Sequence, residues 1–476
     1  MITNKKTKIV ATLGPACSTR EIIKDMIDAG VNVFRVNFSH ADYSDVKEKI
    51  KIIRGLNDEY GYNTAILGDL QGPKLRVGIM GEGVVVNDGD LITFTTAEEI
   101  IGTAQRVFMK YKNFPNDVNP GERILLDDGK LIFEIVETDK KTEVVAKVIQ
   151  GGELKSKKGV NLPNTKISLP AMTEKDIADA IFAIEQKVDW IALSFVKTPQ
   201  DLKDLQDLIA EHSEHKIPIV AKIEMPEALE NIDKIVAYCD ALMVARGDLG
   251  VELPAHEVPL VQKELIRKAK MARIPVIVAT QMMETMITSL TPTRAEVNDV
   301  ANSVMDGADA VMLSGETATG NYPVQVIEKM TQIIKAVEDS PLITVPQNTP
   351  QIKTKRFITK TVCRHAALMA NAINAKAICT LTNSGYTAFQ ISAWRPSAYI
   401  LVFTSNKRIM TQLSLLWGVK SFYYDKIVST DDTVTDINNI VKEKGYVAKG
   451  DFLINLAAMP IKEKGMVNTM RVSEIE

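Results

Sequence analysis

The stretch Pro218-Ile-Val-Ala-Lys-Ile-Glu224 is a short apolar run that ends in polar residues, and a helical segment separates it from a similar run, Ala241-Leu-Met-Val-Ala-Arg-Gly247. Continuously apolar runs with polar residues only at their C-terminal ends are typical of buried parallel strands. The same pattern recurs six more times, at residues 8–14, 31–37, 64–70, 189–195, 275–280 and 309–315. Eight such runs, separated by helical segments, predict an α/β fold with eight parallel strands.

Residues 71–170 interrupt this alternation. Gly, Asp and Val dominate there, and strand-like runs such as residues 91–95 and 131–137 are separated by turn signals such as Asp127-Asp-Gly129. This composition predicts an inserted all-β domain of about 100 residues. Without it, about 240 residues remain up to residue 340, which matches the typical size of a (β/α)8 TIM barrel. An open, doubly wound sheet is the alternative.

A third unit follows the barrel. The Pro-rich stretch at residues 341–356 is interpreted as a linker. Four further apolar runs alternate with helical segments and predict a C-terminal α/β domain at residues 357–476, a small open sheet. The predicted domains are therefore the barrel at residues 1–70 and 171–340, the inserted β lid at 71–170, and the C-terminal domain.

Composition excludes several classes of protein. The 476 residues carry 57 Lys and Arg against 60 Asp and Glu, a net charge of −3, which argues against a nucleic-acid partner. No apolar run reaches the roughly 18 residues needed to span a membrane, so we expect no membrane partner. The four cysteines form no C-x-x-C motif, and together with the absence of a secretory leader they indicate a cytoplasmic protein with reduced thiols.

Polar residues cluster at the predicted strand ends, where TIM barrels carry their chemistry. A buried charge there costs several kcal/mol unless it is paired or bound to a metal. The candidates are Arg35, Asn37, Ser39, Asp69, Lys222, Glu224, Arg246, Gly247, Asp248, Thr280, Gln281, Ser314 and Glu316.

Glu224 and Asp248 end adjacent strands, and a small set of hard oxygen ligands is what Mg²⁺ favours. Lys222 points to the same face of its strand as Glu224, and a lysine beside a metal carboxylate can neutralise a transferring phosphoryl group together with Arg35. The alternative is a layer of salt bridges that closes the top of the barrel.

The chain contains neither G-x-x-x-x-G-K-[ST] nor G-x-G-x-x-G. Neither a P-loop nor a dinucleotide fingerprint therefore explains phosphate binding. In the third unit, Thr382-Asn-Ser-Gly-Tyr-Thr387 follows a strand and opens a helix, which can form an anion site. An ordinary strand–helix turn explains the same pattern.

Nine segments in order resemble the motifs of the pyruvate kinase family, and the resemblance covers essentially the whole chain. They are KIVATLGP (8–15), FRVNFSH (34–40), DLQGPKLR (69–76), KKGVNLP (157–163), IVAKIE (219–224), MVARGDLGVE (243–252), ATQMMETM (279–286), PTRAE (292–296) and DAVMLSGETA (309–318). The resemblance implies transfer of the phosphoryl group of phosphoenolpyruvate to ADP, which gives pyruvate and ATP in glycolysis.

The resemblance also implies roles for individual residues. Lys222, Arg35 and Thr280 are the expected catalytic residues, and Gly247 and Asp248 complete the substrate site. Glu224 and Asp248 are expected to bind Mg²⁺ or Mn²⁺. The expected nucleotide contacts are Asn37, His40, Arg76 and Lys158. Thr382, Ser384 and Thr387 match the loop that binds a sugar-phosphate or nucleotide effector, and the family is typically a homotetramer.

One departure from the family concerns the monovalent cation. The family site matches Asn37, Ser39, Asp69 and the carbonyl of Leu70, but the nearby glutamate is replaced by Lys74. We expect the Lys74 ammonium to substitute for K⁺, so that activity needs little or none.

Two other functions stay open from sequence. One is a different Mg²⁺-dependent, enolate-stabilising barrel enzyme of the pyruvate aldolase class. The other is a non-catalytic metabolite sensor on the same fold, which would be expected to have lost Lys222 or a metal carboxylate.

Overall fold

The computed structural model describes residues 5–39, 41–127, 129–163, 165–340, 356–426, 429–459 and 466–476. His40 and nearly all of the predicted linker lie outside these ranges. The chain begins with three strands and two helices that alternate: β1 (Lys8–Thr12), α1 (Arg20–Ala29), β2 (Val33–Asn37), α2 (Tyr43–Tyr60) and β3 (Ala65–Asp69). Asp42 is the N-cap residue of helix α2, and its carboxylate accepts hydrogen bonds from the amides of Ser44 and Asp45.

Among the described residues, a unit of eight strands and one four-residue helix follows β3, where the sequence predicts an all-β insertion. Its elements are β4 (Val85–Val86), β5 (Leu91–Thr95), β6 (Arg106–Phe108), α3 (Phe114–Asp117), β7 (Arg123–Leu126), β8 (Leu131–Thr138), β9 (Glu143–Gln150), β10 (Gly152–Glu153) and β11 (Val160–Asn161). Six of the strands form one sheet in the order β11-β7-β8-β9-β5-β6, and β10 pairs with β4. The unit has its own core, in which the rings of Phe94, Phe114 and Phe133 meet edge to face. We call this unit the lid.

The alternation of strands and helices then resumes. Its elements are α4 (Glu174–Glu185), β12 (Trp190–Leu193), α5 (Pro199–His212), β13 (Ile219–Ile223), α6 (Pro226–Glu230), α7 (Ile232–Ile235), β14 (Ala241–Ala245), α8 (Arg246–Glu252), α9 (Val258–Ala272), β15 (Val276–Ala279), α10 (Arg294–Asp306), β16 (Ala310–Leu313), α11 (Gly315–Ala318) and α12 (Pro323–Glu338).

Eight parallel strands close into a barrel in the order β1-β16-β15-β14-β13-β12-β3-β2. All eight predicted strands are present, and each observed strand is two or three residues shorter than its predicted run. Strand β3 pairs directly with β12, so the lid is inserted between two neighbouring strands of the barrel. The predicted fold class is confirmed, and the open doubly wound sheet is excluded.

The C-terminal unit is an α/β sheet with one more strand than the sequence predicts. It contains α13 (Phe357–Ala372), β17 (Ala377–Leu381), α14 (Tyr386–Ser392), β18 (Tyr399–Thr404), α15 (Lys407–Gln412), β19 (Val419–Tyr423), α16 (Thr430–Glu443), β20 (Phe452–Ala457) and β21 (Thr469–Glu474). The fifth strand, β21, is antiparallel to β20 at the edge of the sheet. Three of its six side chains are exposed and none is fully buried, and it lacks the apolar run that marks the other four strands.

This unit packs against the amino-terminal end of the barrel. The indole of Trp190, at the start of β12, donates to the carbonyl of Gln412 at 3.1 Å. Arg395 forms an ion pair with Asp309 at 2.9 Å, just before β16. The opposite, carboxyl-terminal end of the barrel is left to the lid and to the polar residues at the strand ends. No helix in the described ranges is long and apolar enough to cross a membrane.

Candidate active site

Four charged side chains from three strands meet at the carboxyl end of the barrel. Arg35 Nε lies 2.6 Å from Asp69 Oδ2, and Lys222 Nζ lies 3.2 Å from Asp69 Oδ1. Lys222 Nζ also lies 2.9 Å from Glu224 Oε1. All four residues are buried, and Asp69 is fully so. The structure therefore brings together four of the residues predicted from the strand ends.

The charges in this cluster compensate one another. Burial lowers the pKa of Lys222, but the charges of Asp69 and Glu224 outweigh it and raise the pKa. Burial also raises the pKa of Asp69, and here the charges of Lys222 and Arg35 prevail and lower it. Lys222 is therefore held as an ammonium and Asp69 as a carboxylate. The site keeps a permanent cation where a phosphoryl group could be stabilised.

Ser194 belongs to this cluster, although it is not among the predicted site residues. Lys222 Nζ donates to Ser194 Oγ at 2.6 Å, and Ser194 Oγ donates to the carbonyl of Leu70 at 2.7 Å. Ser194 directly follows β12, so the strand-end rule applied to the fourth strand would have found it. The hydroxyl fixes the direction of the lysine side chain.

Thr280 has a strained backbone. Its φ of 70° lies in the left-handed region, which is a true outlier for a β-branched residue. Its Oγ1 accepts a hydrogen bond from the amide of Gly247 at 2.7 Å and donates to the carbonyl of Ala279 at 2.6 Å. The Thr280 hydroxyl is thereby held beside the first turn of α8.

Arg246 holds this strained segment in place. Its guanidinium donates to the carbonyls of Ala279 and Thr280 at 3.2 and 2.7 Å and forms an ion pair with Asp299 at 2.6 Å. Arg246 is one of the predicted strand-end candidates, and its sequence context predicts no role for it. These contacts fix the backbone of Thr280, so we interpret Arg246 as a positioning residue.

The carboxylates of Glu224 and Asp248 fit a hard divalent cation. Burial raises the pKa of Glu224; Lys222 opposes this rise, while the charge of Asp248 adds to it, so the two carboxylates repel each other. A cation between them would relieve the repulsion, and two carboxylates leave positions for water and substrate oxygens, as Mg²⁺ favours. The described residues hold no group of three or more His, Cys, Asp or Glu side chains that could bind a metal on their own.

Lys74 faces the same carboxylate. Its ammonium lies 3.6 Å from Asp248 Oδ1. No contact recorded for the described residues joins it to Asn37, Ser39 or Asp69. Asn37 Oδ1 instead accepts from the amide of Ser39 at 3.2 Å.

The candidate nucleotide residues of the lid are engaged within the lid. Arg76 donates to the carbonyl of Lys157 at 3.0 Å, and Lys158 Nζ lies 2.8 Å from Asp127 Oδ1. Neither residue has a recorded contact with the Lys222 cluster. His40 lies outside the described residues.

The candidate effector loop lies far along the chain, at the start of α14. Thr382 Oγ1 accepts from the amide of Gly385 at 3.0 Å, and Ser384 is exposed. Thr387 differs from these two because it is buried and its hydroxyl lies 3.1 Å from that of Thr380. Of the three predicted effector residues, Ser384 is the most accessible.

Comparisons with known proteins agree along the whole chain. Residues 4–327 match the family model "Pyruvate kinase, barrel domain" and residues 360–473 match "Pyruvate kinase, alpha/beta domain". The chain is 41% identical over 477 residues to a pyruvate kinase of Geobacillus stearothermophilus, covering 99% of this chain and 80% of that protein. It is 40% identical over 480 residues to one of Mycobacterium intracellulare, covering 99% of both. A crystal structure of a pyruvate kinase from Cryptosporidium parvum superposes with a TM-score of 0.92 at 33% identity, covering 100% of this chain and 97% of that one.

Proposed function

The chain belongs to the pyruvate kinase family, and on that premise we propose which of its residues carry the transfer of a phosphoryl group from phosphoenolpyruvate to ADP. The enzyme is a phosphotransferase, and its products are pyruvate and ATP. The observation that supports the assignment of residues is the buried cluster of Arg35, Asp69, Lys222 and Glu224 at the carboxyl end of the barrel.

Lys222 and Arg35 bind and stabilise the transferring phosphoryl group. This group resembles metaphosphate in the transition state, so catalysis depends on positioning and on positive charge. Asp69 holds both cations in place, since its Oδ2 faces Arg35 and its Oδ1 faces Lys222. Ser194 directs the ammonium of Lys222 as a positioning residue.

The metal site consists of Glu224 and Asp248. Enzymes of this family generally need a divalent metal such as Mg²⁺. Bound there, the metal would supply positive charge that neutralises phosphoryl oxygens and the developing enolate. Lys222 lies beside Glu224, so its ammonium would act on the same phosphoryl and enolate oxygens as the metal.

The carboxylate end of the substrate lies against Thr280 and the amides of Gly247 and Asp248. These amides belong to the first turn of α8, where backbone N–H groups lack an intrahelical acceptor. In this structure the Gly247 amide donates to Thr280 Oγ1 and that hydroxyl donates to the Ala279 carbonyl, so both donors leave these partners when they bind the carboxylate. After transfer, the enolate carbon takes a proton from a water relay at Thr280 or Ser314.

The lid excludes water from the reaction, since a metaphosphate-like group would otherwise hydrolyse. We take the lid as residues 71–170, the barrel as residues 1–70 and 171–340, and the C-terminal unit as residues 357–476. Arg76 and Lys158 on the lid, with Asn37 and His40 at the barrel, are the proposed contacts of ADP.

Three finer properties are also proposed. Lys74 replaces the monovalent cation, whose family site matches Asn37, Ser39, Asp69 and Leu70. Thr382, Ser384 and Thr387 bind a sugar-phosphate or nucleotide effector. The active form is a homotetramer.

One assay tests the site as a whole. Pyruvate formation is followed through coupled lactate dehydrogenase, with phosphoenolpyruvate and ADP, in the presence of Mg²⁺ or of EDTA. We expect a rate that needs both ADP and Mg²⁺. Pyruvate formation without ADP would indicate an aldolase-type reaction and would contradict the proposed roles.

A further inference from the structure

A cavity of about 1110 Å³ lies at the amino-terminal end of the barrel, opposite the Lys222 cluster. Residues at the starts of β1, β2, β3 and β12 line one side, and residues of α15 and β19 line the other. Its volume is slightly above the usual range of about 300–1,000 Å³ for small-molecule sites. None of the residues assigned above to substrate, metal, nucleotide or effector lines it.

The lining is strongly cationic. Eight Lys or Arg side chains contribute to it, against three Asp side chains. Two of these carboxylates are already paired, since Asp28 lies 2.6 Å from Lys24 and Asp189 lies 2.9 Å from Arg54. The third, Asp58, is exposed. The cavity therefore carries an excess of positive charge.

Two of the lysines are buried and have only neutral hydrogen-bond partners. Lys5 and Lys8 are 5% and 4% exposed. Lys5 Nζ donates to Asn32 Oδ1 at 2.6 Å, and Lys8 Nζ donates to the carbonyl of Val419 at 2.8 Å. Among the described residues, no carboxylate oxygen lies within the 4.0 Å of an ion pair from either ammonium.

The carboxylate of Glu338 is the acidic group whose charge acts on both lysines, but it is already occupied. Its two oxygens accept from the amides of Lys6 and Thr7 at 2.7 and 2.6 Å. Burial, together with the charge of Lys420, lowers the pKa of Lys8 to about 7. Without a counter-ion Lys8 therefore gives up its proton near neutral pH, and an anion bound beside it would restore the charge.

Lys420 approaches from the C-terminal side of the cavity. Its ammonium lies 5.6 and 5.0 Å from the ring centroids of Tyr399 and Tyr446, and it has no hydrogen-bond acceptor among the described residues. The charges of Lys8 and Lys420 both lower the pKa of Lys5. The three ammonium groups therefore lie within each other's electric field, although they come from two different units.

We propose that this cavity binds a small phosphate-bearing metabolite, with its phosphate placed among Lys5, Lys8 and Lys420. Ammonium groups act as point charges, and three of them around one space suit a compact anion with two or more charges. The cavity exceeds the volume of one phosphate group, so the rest of the metabolite occupies the remaining space. Such an anion contacts the barrel and the C-terminal unit together.

Pyrophosphate is the probe for this site. Its binding to the full chain is measured by titration calorimetry in EDTA without Mg²⁺, which keeps metal-bridged binding at the catalytic end out of the measurement. We expect Lys420→Met and Lys8→Met each to weaken binding by about tenfold or more, since each removes a charge-assisted contact. Lys51→Met and Lys449→Met, at exposed lysines outside the cavity, should bind as the parent does.

A second measurement separates loss of binding from loss of folding. Pyrophosphate should raise the unfolding temperature of the parent but not that of Lys420→Met, whose ammonium has no hydrogen bond to lose within the described chain. The proposal is overturned if the parent binds no pyrophosphate, or if both cavity variants bind it unchanged. It is also overturned if binding is lost only when Thr382 and Ser384 are replaced, which would place the anion at the effector loop.

Discussion

The ammonium of Lys74 lies 3.6 Å from Asp248 Oδ1, so a cation supplied by the chain faces a proposed metal ligand. Lys74 stands five residues after Asp69, where the chain leaves the barrel for the lid. Its side chain reaches back to the first turn of α8. The side chain is one-third exposed, so the pair contributes little to stability, but it places positive charge where anionic substrates would bind.

Replacing Lys74 by Glu should make the enzyme dependent on potassium. The parent should run at nearly the same initial rate in tetramethylammonium buffer with and without KCl, because its own ammonium supplies the charge. Lys74→Glu removes that charge and restores a carboxylate, so KCl should activate it several-fold. Strong activation of the parent by KCl would refute the idea. Lys51→Glu, at an exposed lysine of α2, is the matched control for charge reversal.

Lys222→Met should reduce kcat by about 10²- to 10³-fold or more, because the ammonium stabilises charge that develops in the transition state. Steady-state rates with phosphoenolpyruvate and ADP at saturating Mg²⁺ measure this, and the KM for ADP should change far less. Lys51→Met is the control. If kcat stayed within a few-fold of the parent, Lys222 would have only a structural role.

Glu224→Gln and Asp248→Asn should each raise the Mg²⁺ concentration needed for half-maximal rate by at least about tenfold, because each removes a charged ligand. Glu230→Gln, an exposed residue of α6, should leave the Mg²⁺ titration unchanged. EDTA should abolish the rate in all of them. An unaltered titration in both site variants would place the metal elsewhere.

The buried carboxyl of Glu252 should make the free energy of unfolding depend on pH. The amide of Asn161, on the lid, donates to its Oε1 at 2.8 Å, while its Oε2 is buried without a hydrogen bond from the described residues. Burial raises the pKa of Glu252 from 4.5 to about 7; the bond from Asn161 opposes this rise and the charge of Asp248 adds to it. The folded state therefore binds the proton more tightly than the unfolded chain, so this carboxyl favours folding at low pH and loses that contribution as pH rises from 4.5 to 7.

Glu252→Gln should remove the loss of stability that the parent shows as pH rises. In EDTA it should be more stable than the parent at pH 8, by at most about 3 kcal/mol, and lose that advantage below pH 5. Thermal unfolding at both pH values provides the comparison, with Glu211→Gln on the surface of α5 as control. An equal difference at pH 5 and pH 8 would show that titration of Glu252 plays no part.

Combined replacement of Thr382 and Ser384 by Ala should abolish activation by whichever sugar phosphate or nucleotide activates the parent. Basal rate should be unaffected, since both residues lie in the C-terminal unit. Thr387→Ala should instead lower stability, because its buried hydroxyl lies against that of Thr380. Activation that persists in the double variant would place the effector elsewhere.

Sequence was sufficient for the barrel because its strands are apolar on both faces. Such runs stand out without any knowledge of their partners. The same rule predicted that Lys222, on β13, and Glu224, directly after it, face one site. Strand β21 was not predicted because it is a half-exposed edge strand without an apolar run.

Sequence could not show which strand-end residues meet. The backbone strain at Thr280 and its support by Arg246 depend on φ and on carbonyl directions that no residue pattern encodes. The same is true of Ser194, whose hydroxyl accepts from Lys222 and donates to the Leu70 carbonyl. The boundaries of the units, the roles of the site residues and the cytoplasmic location stay predictions.

The pairing of β1 with β16 has a consequence for biosynthesis. Lys8 pairs with Ala310, so the barrel cannot close before some three hundred residues have left the ribosome. The lid, by contrast, is built mostly from neighbouring antiparallel strands and has its own core, so it can fold while the barrel is still an open sheet. A folded lid also holds its own two ends together, since the Val160 amide donates to the Leu75 carbonyl at 3.0 Å, and this shortens the loop that must close before β3 can pair with β12. We therefore expect the insertion to assist the synthesis of the barrel that it later covers.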